Sequence, residues 1–432
     1  MISRLIFLLI LSAGVYFFSV KIREIMRNIR LGRDLNRNDN PSLRWKTMAL
    51  VALGQSKMLK RPVAAIFHIF IYVGFIIINI EVVEIIIDGL FGTHRILSFM
   101  GGFYDFLIAS FEILAVLVLL ACIVFLSRRN IIKLKRFQSK ELANWPKSDA
   151  NIILITEIFL MSAFLIMNAT DYLLQQQNAE HYIQAGAFPV SSLIAPLFAG
   201  FNINSLILLE RFCWWFHIIG ILAFLNYVPY SKHFHIILSF PNTWYSNLEK
   251  KGRFNNMANV MNEVKLMMDP SAIVTPVEGI TGFGAKDVRD LTWKQLMDAY
   301  SCTECGRCTS VCPANITGKE LSPRKIMMDT RDRLEETGKN IDKNGIDFVD
   351  GKALLGNYIT NEELWACTTC NACVEACPVN IDPLSIIIDL RRYLIMEQST
   401  APSEWNGMLS KIENNGAPWQ FSPADRLNWK EN

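Results

Sequence analysis

Charge and histidine are both scarce in this chain of 432 residues, and histidine is unevenly spread. Asp, Glu, Lys and Arg make up 19% of the residues, below the roughly 25% of a soluble globular protein, and the mean hydropathy is +0.23. Those values argue against a wholly soluble protein. The 43 basic and 40 acidic residues nearly cancel, so the chain lacks the field that draws a protein to nucleic acid. All six histidines (His68, His94, His181, His217, His233 and His235) precede residue 240, which leaves the C-terminal half without an imidazole for acid–base work. That half also lacks a G-x-S-x-G elbow, a P-loop and a dinucleotide fingerprint; Gly279, Gly282 and Gly284 run G-x-x-G-x-G instead. Bond-breaking chemistry on a substrate is therefore expected on another polypeptide.

What the chain does have is long apolar runs. A bilayer core takes about 20 apolar residues per helix, and five stretches qualify: Ile2 to Val20, Pro62 to Ile87, Phe103 to Leu126, Asn151 to Thr170 and Ser205 to Val228. No small-x-small cleavage site follows Phe17, Phe18, Ser19 and Val20, which makes the first run a retained span rather than a signal peptide. Eleven Lys plus Arg lie between Lys21 and Arg61 and seven between Arg128 and Lys147, whereas the loop around His94 holds only Arg95 and the stretch from Asp171 to Asn204 holds none. Basic loops stay inside, so the expected topology in the cytoplasmic (inner) membrane has the N-terminus outside and the C-terminal half in the cytoplasm. Ile22, Ile25, Met26 and Ile29 recur at helical spacing among Arg23, Arg27 and Arg30, a pattern expected to lie along the inner membrane surface. An ordinary solvated basic loop is the alternative.

An imidazole in a bilayer is costly unless paired, wet or coordinated. His217 and His235 are 18 residues apart, five turns and about 27 Å along one helix face if the helix is continuous; His233 then points elsewhere, and Pro229 is a potential kink. His68 follows Arg61 and Pro62 closely, which places it at about the depth of His235, and two imidazoles on facing helices can clamp a haem iron. His68 and His235 form the first expected pair. His94 lies beyond a break at Asp88–Gly89 and Gly92–Thr93 and could fold back to His217, the second. Each of these histidines also has a reading as an ordinary interface residue; His233 reads as a surface neighbour of Lys232, and His181 as solvent-facing. Glu81, Glu84, Glu112, Glu157 and Glu210 fall within the spans, as proton carriers or as interhelical partners. Cys122 and Cys213 read as small buried apolar residues.

The stretch from Trp214-Trp215-Phe216-His217 through Tyr230-Ser231-Lys232-His233-Phe234-His235-Ile236 resembles the last span of the dihaem cytochrome b gamma subunit of respiratory nitrate reductases. That resemblance implies two b haems held by histidines on the second and fifth spans, and its motif carries over to His68, His217 and His235. It departs on the second span, where position 78 is isoleucine. One or two haems are therefore expected, the second depending on His94.

Eight of the ten cysteines lie between Cys302 and Cys377 and form a repeat with an offset of 65 residues. Cys302-x-x-Cys305-x-x-Cys308-x-x-x-Cys312-Pro313 returns as Cys367-x-x-Cys370-x-x-Cys373-x-x-x-Cys377-Pro378. This is the C-x2-C-x2-C-x3-C-P run of two-cluster ferredoxins, in which three thiolates wrap one 4Fe-4S cube and the fourth crosses to the other. On that pattern Cys302, Cys305, Cys308 and Cys377 hold one cluster and Cys367, Cys370, Cys373 and Cys312 the other. Zinc is the alternative, usually met by two separated CxxC pairs. A capping box at Thr292 and Gln295 and helix starts at Ser322-Pro323 (through Arg333) and Asp382-Pro383 (through Met396) make the framework helical. It resembles the α-helical ferredoxin domains of heterodisulfide reductase and of anaerobic glycerol-3-phosphate dehydrogenase small subunits.

The expected fold is all-α. A five-span transmembrane bundle (residues 1–240) leads through a linker (241–290) to an α-helical ferredoxin domain with two 4Fe-4S clusters (291–400) and a tail (401–432). Haem in lipid joined to clusters in water makes a relay for single electrons between a cytoplasmic redox partner and the quinone pool. The combination resembles the membrane components of heterodisulfide reductase-like complexes and of electron-transfer-flavoprotein:menaquinone reductases. That resemblance implies menaquinone as the quinone, an iron-sulfur partner subunit carrying cysteine-rich CCG domains, and an electron-transfer flavoprotein as a further candidate partner. The alternatives are a haem-free quinone-binding anchor and, from a different class, a redox-gated sensor or transporter.

Overall fold

The computed structural model describes residues 1–275 and 282–431; Gly279 of the glycine series lies outside them. Among the described residues every regular element is a helix. Five helices are long and apolar enough to cross a membrane: Ile2–Ile29, Pro62–Phe91, Gly102–Asn130, Trp145–Gln176 and Ile203–Tyr230. Their outer surfaces carry bare Leu9, Phe17, Val83, Phe106 and Leu208, which suits a lipid surround and would be a liability in water. Inside, Ile78, Phe111, Phe164, Trp214 and Ile218 form one apolar core.

The second core belongs to the C-terminal region. Helices Trp293–Tyr300, Pro323–Asn344 and Pro383–Met396 pack around Leu296, Ile326, Leu334, Ile387 and Leu390. Their starts follow the expected capping chemistry: Thr292 and Gln295 close a capping box, Ser322 accepts from the Lys325 amide, and Asp382 accepts from the Ser385 amide. Ala285 and Val288 are buried in the same core, so chain ahead of residue 291 already packs with the ferredoxin helices.

The segment after the first apolar run departs from expectation. The helix continues unbroken to Ile29, and Ile25, 1% exposed, sits in the ferredoxin core with Ile22 and Ile29 against it. The Asn28 carboxamide donates to the Tyr300 hydroxyl at 3.0 Å, and the Arg27 guanidinium is paired with Asp342. The apolar stripe thus covers the protein's own core, not the lipid surface; burial against fixed side chains satisfies both the isoleucines and the polar groups between them. Past this helix, Arg33 and Thr292 form a parallel bridge, tying the end of the first span to the start of the ferredoxin helices.

Candidate electron-transfer sites

The two cysteine loops share one backbone. Glu304 and Gly306 in the first loop have φ of 53° and 69°, and Thr369 and Asn371, 65 residues on, have 54° and 59°. Alternating left-handed residues curl a short loop so that its amides face inward, a shape that suits an anionic cluster. Each curl runs into a short helix, Arg307–Ser310 and Ala372–Ala376, that carries the third cysteine. The two loops lie within electrostatic reach of each other: Cys308 feels Cys305, Cys302, Cys377 and Cys373, and Cys373 feels Cys367 and Cys312. The Ile381 amide donates to the Cys377 sulfur at 3.3 Å and the Thr369 amide to the Cys367 sulfur at 3.4 Å. Burial pushes the Cys302 and Cys377 thiols up to about 12, so the polypeptide alone favours neutral thiols and bound iron must compensate the thiolate charge. Eight thiols in two C-x2-C-x2-C-x3-C-P runs are the donor chemistry of two cubes. Cys370 is the exposed member of the eight.

The first cysteine loop docks on the membrane half. The Lys232 ammonium donates to the Glu304 carboxylate at 2.5 Å and to the Pro146 carbonyl at 2.6 Å, and the Arg331 guanidinium donates to the other Glu304 oxygen at 2.9 Å. Burial raises the Glu304 carboxyl, but Arg331 and Lys232 outweigh it and hold the group below its ordinary range. Arg307 donates to the Lys57 carbonyl at 3.0 Å and Arg61 to the Ser310 hydroxyl at 2.7 Å. Arg324, fully buried, donates to the Arg136 carbonyl at 2.7 Å and to Glu141 at 2.6 Å. None of these contacts is legible in sequence. The basic loops suggest only a side of the membrane; the structure uses several of their residues to seat the ferredoxin region.

Three residues from Lys232 stands His235, whose Nδ1 is 3.0 Å from the Lys232 carbonyl. Its ring centroid is 6.5 Å from that of His68, so the expected first pair does come together. Metal–imidazole bonds of about 2 Å put two rings on opposite sides of one ion roughly 6 Å apart between centroids; the observed spacing fits. With Nδ1 on a carbonyl, His235 presents Nε2, the arrangement typical of a ligating imidazole. His68 Nδ1 is buried and has no hydrogen-bond partner.

Three expectations about the other histidines need correction. His217 and His235 are not on one continuous helix. The span ends in a turn at Val228–Tyr230, Ser231 is extended, and its hydroxyl accepts from the His233 amide before a new helix begins at His235. Pro229 has no amide hydrogen to continue the ladder, and Ser231 caps the next turn. His233 does not stand apart as a surface residue: it is half-buried, with its ring 5.5 Å from those of both His235 and Phe224. His94 and His217 do not pair. His94 Nε2 lies 3.2 Å from Asp171 and its ring rests against His181 and Tyr182, while His217 holds the Leu160 carbonyl at 3.0 Å beside Phe164. Arg95, bound to Asp171, Tyr104 and Asn168, fixes the loop that carries His94. His181 is exposed, and Cys122 and Cys213 are buried in the apolar core, as expected.

The acidic residues in the spans divide. Glu84 accepts from the Leu97 amide and the Tyr104 hydroxyl, both at 2.9 Å. Glu112 accepts from the Val190 and Ser191 amides at 2.8 and 3.0 Å. Glu210 accepts from the Tyr182 hydroxyl at 2.9 Å and pairs with Arg211. These three are interhelical and loop partners. Glu81 differs: it is 3% exposed and its Oε2 has no partner.

Comparison with known proteins agrees with the cysteine spacing. The 4Fe-4S dicluster domain family matches residues 301–381. Over 99% of its length the chain is 30% identical to the protein named "Probable iron-sulfur-binding oxidoreductase FadF" of Bacillus subtilis, covering 61% of that protein. Over 92% it is 26% identical to "EtfAB:quinone oxidoreductase" of Syntrophomonas wolfei, covering 55% of it. The chain therefore spans about three fifths of the length of these relatives. A 107-residue stretch is 36% identical to one subunit of the ferredoxin/F(420)H(2)-dependent CoB-CoM heterodisulfide reductase of Methanosarcina acetivorans, covering 24% of this chain and 52% of that polypeptide. No solved structure matches. The chain carries a 4Fe-4S dicluster domain behind five membrane-spanning helices, and its homologues are iron-sulfur oxidoreductases or their subunits.

Proposed function

We propose that the chain is the membrane electron-transfer subunit of a respiratory oxidoreductase complex, joining a cytoplasmic redox partner to the quinone pool. Supporting it above all is the junction at Lys232: its ammonium binds the first cysteine loop through Glu304 while its carbonyl orients the His235 ring toward His68. When bound, two 4Fe-4S clusters and a b haem supply one-electron carriage. Cys302, Cys305, Cys308 and Cys377 hold one cluster, Cys367, Cys370, Cys373 and Cys312 the other, and His68 and His235 hold the haem. His217 keeps Nε2 free, but Ile78 stands where the nitrate reductase resemblance puts an opposing ligand and His94 is engaged with Asp171, so the haem count in this reading is one.

The remaining assignments follow from the same layout. The basic loops that seat the ferredoxin region support a cytoplasmic position for it and an N-terminus outside. Cys370, exposed on the second loop, marks where a soluble partner approaches, either an iron-sulfur subunit with CCG domains or an electron-transfer flavoprotein. The printed name of the Syntrophomonas wolfei relative supports quinone as the other partner.

The test is spectroscopic. Anaerobically purified protein should show a b-type band in its reduced-minus-oxidised spectrum, and His68→Ala and His235→Ala should each abolish it while the iron-sulfur signal survives. A band that persists at full intensity in both variants rules out this pair. A wild-type spectrum without any b-type band favours the haem-free anchor.

A further inference from the structure

At the end of the bundle away from the ferredoxin region lies a cavity of about 230 Å³ between the first, second, fourth and fifth spans. Two of its lining groups are buried without a partner: His94 Nδ1, on a side chain 8% exposed, and Glu81 Oε2, on a residue 3% exposed. A buried polar atom left unpaired costs on the order of 1–3 kcal/mol, and here two of them line one hollow. The other acidic walls are committed elsewhere, Glu84 to Leu97 and Tyr104, Asp88 to the Arg95 amide, Asp171 to Arg95, and Glu210 to Arg211 and Tyr182, while Ser3, Arg4 and His181 also line the hollow. Aromatic faces complete the site, with the Phe7 ring 5.5 Å from that of Trp214 and 6.1 Å from that of Trp215.

We propose that this cavity binds the headgroup of a quinone, with His94 Nδ1 and Glu81 Oε2 as its two hydrogen-bonding contacts. A quinone is a flat ring with an acceptor oxygen at each end, and a quinol bears a hydroxyl at each. An imidazole nitrogen and a carboxyl oxygen can each donate or accept according to protonation, so the same two groups can hold both redox forms. The rings of Phe7, Trp214 and Trp215 provide surfaces for the flat face. The His94–Asp171 contact through Nε2 is a positioning device, since it fixes the ring and leaves Nδ1 toward the ligand. Trp214 precedes His217 by one helical turn, which sets the cavity beside the buried histidine of the fifth span.

The inference rests on the quinone reading above, and the test separates the two. Full-length protein in lipid nanodiscs is titrated with menadione by equilibrium dialysis. A photoreactive azido-naphthoquinone is then crosslinked to wild-type protein and the labelled peptides are mapped. Glu81→Gln and His94→Ala should each weaken menadione binding at least tenfold with the iron-sulfur absorbance unchanged, and label should fall on peptides containing Phe7, Glu81, His94 or Trp214. Unaltered binding in both variants, or label confined to other peptides, overturns the site while leaving quinone as partner. Absence of any binding by the wild type overturns the quinone reading together with the site. If either variant misfolds, the wild-type label map decides.

Discussion

Each end of the bundle holds a buried imidazole without a partner on Nδ1, and the two are answered differently. Near the ferredoxin region His68 faces another imidazole, His235, at 6.5 Å, and among the described residues no carboxylate pairs with either ring. At the far end His94 sits on the Asp171 carboxylate, beside the partnerless Glu81. An imidazole facing an imidazole across a gap suits a metal, because both rings can offer a lone pair to one ion. An imidazole on a carboxylate suits hydrogen bonding and proton traffic. The same residue type in the same bundle thus meets different surroundings, an imidazole at one end and a carboxylate at the other, and depth in the membrane does not distinguish the two.

The most drastic way to break the contrast is to remove a cluster. Cys305→Ala deprives one set of four thiols of a member, and the other buried thiols have no charge partner in its place. One cluster should be lost and the ferredoxin region should become open to protease, because metal binding and folding are coupled there. The membrane end around His94 should be indifferent, so menadione binding should persist in this variant. Iron analysis with limited proteolysis checks the first statement; a variant with full iron and wild-type protease resistance contradicts it.

Next in size is the junction itself. Lys232 and Glu304 are both largely buried, and Arg331 and Asp149 complete the network. Breaking a buried pair typically costs about 3–5 kcal/mol, and here the loss is smaller because Arg331 still holds the other Glu304 oxygen. Lys232→Met should therefore lower the urea midpoint of the ferredoxin region. The b-type band should persist, since the Lys232 backbone carbonyl that orients His235 is retained in this variant; an unchanged midpoint would show that the junction contributes nothing.

How far these features can be read in advance depends on the range of the interaction. The cysteine loops are legible because a cube takes three ligands within seven residues, so spacing alone encodes the site, and the helix starts at Thr292, Ser322 and Asp382 are legible because capping acts over three residues. The approach of His68 to His235 follows from depth, which hydropathy records. Pro229 is visible, but its effect exceeds a kink: with Ser231 it ends the span, and the face argument for His217 fails with it. The docking of Ile25 into the ferredoxin core cannot be derived, since a basic amphipathic helix has the same pattern whether lipid or protein covers it. The pairing of His94 with His217 fails because no local signal tells an imidazole that will meet Asp171, 77 residues away, from one that will meet iron.

The first span offers a milder test of how the two regions are held together. Gly338 on helix Pro323–Asn344 lies where a Cβ would overlap the Asn28 carboxamide, which the Tyr300 hydroxyl and Arg27 hold in place. Overpacking of this kind typically costs about 1–3 kcal/mol. Gly338→Ala should lower the thermal midpoint measured by iron-sulfur absorbance, and Asn28→Ala should relieve part of that loss in the double variant. If the two effects simply add, the contact is not the cause.

The smallest effect belongs to Asp350, far from either histidine site. The hydrogen bond from Arg333 outweighs partial burial and lowers its carboxyl to about 2, against an ordinary value near 4. A depressed carboxyl stabilises the fold at every pH above about 4, and the contribution disappears only as the pH falls toward 2. Between pH 8 and pH 5 the carboxylate is fully charged and its contribution is flat. Asp350→Asn should therefore lower stability by less than about 1 kcal/mol, the range of a partly screened ion pair, and by the same amount at pH 8 as at pH 5. A difference that grows across that interval would mean that another group answers Arg333. Asp287 already shares its guanidinium, and Asp287→Asn on the same background would then show the larger loss.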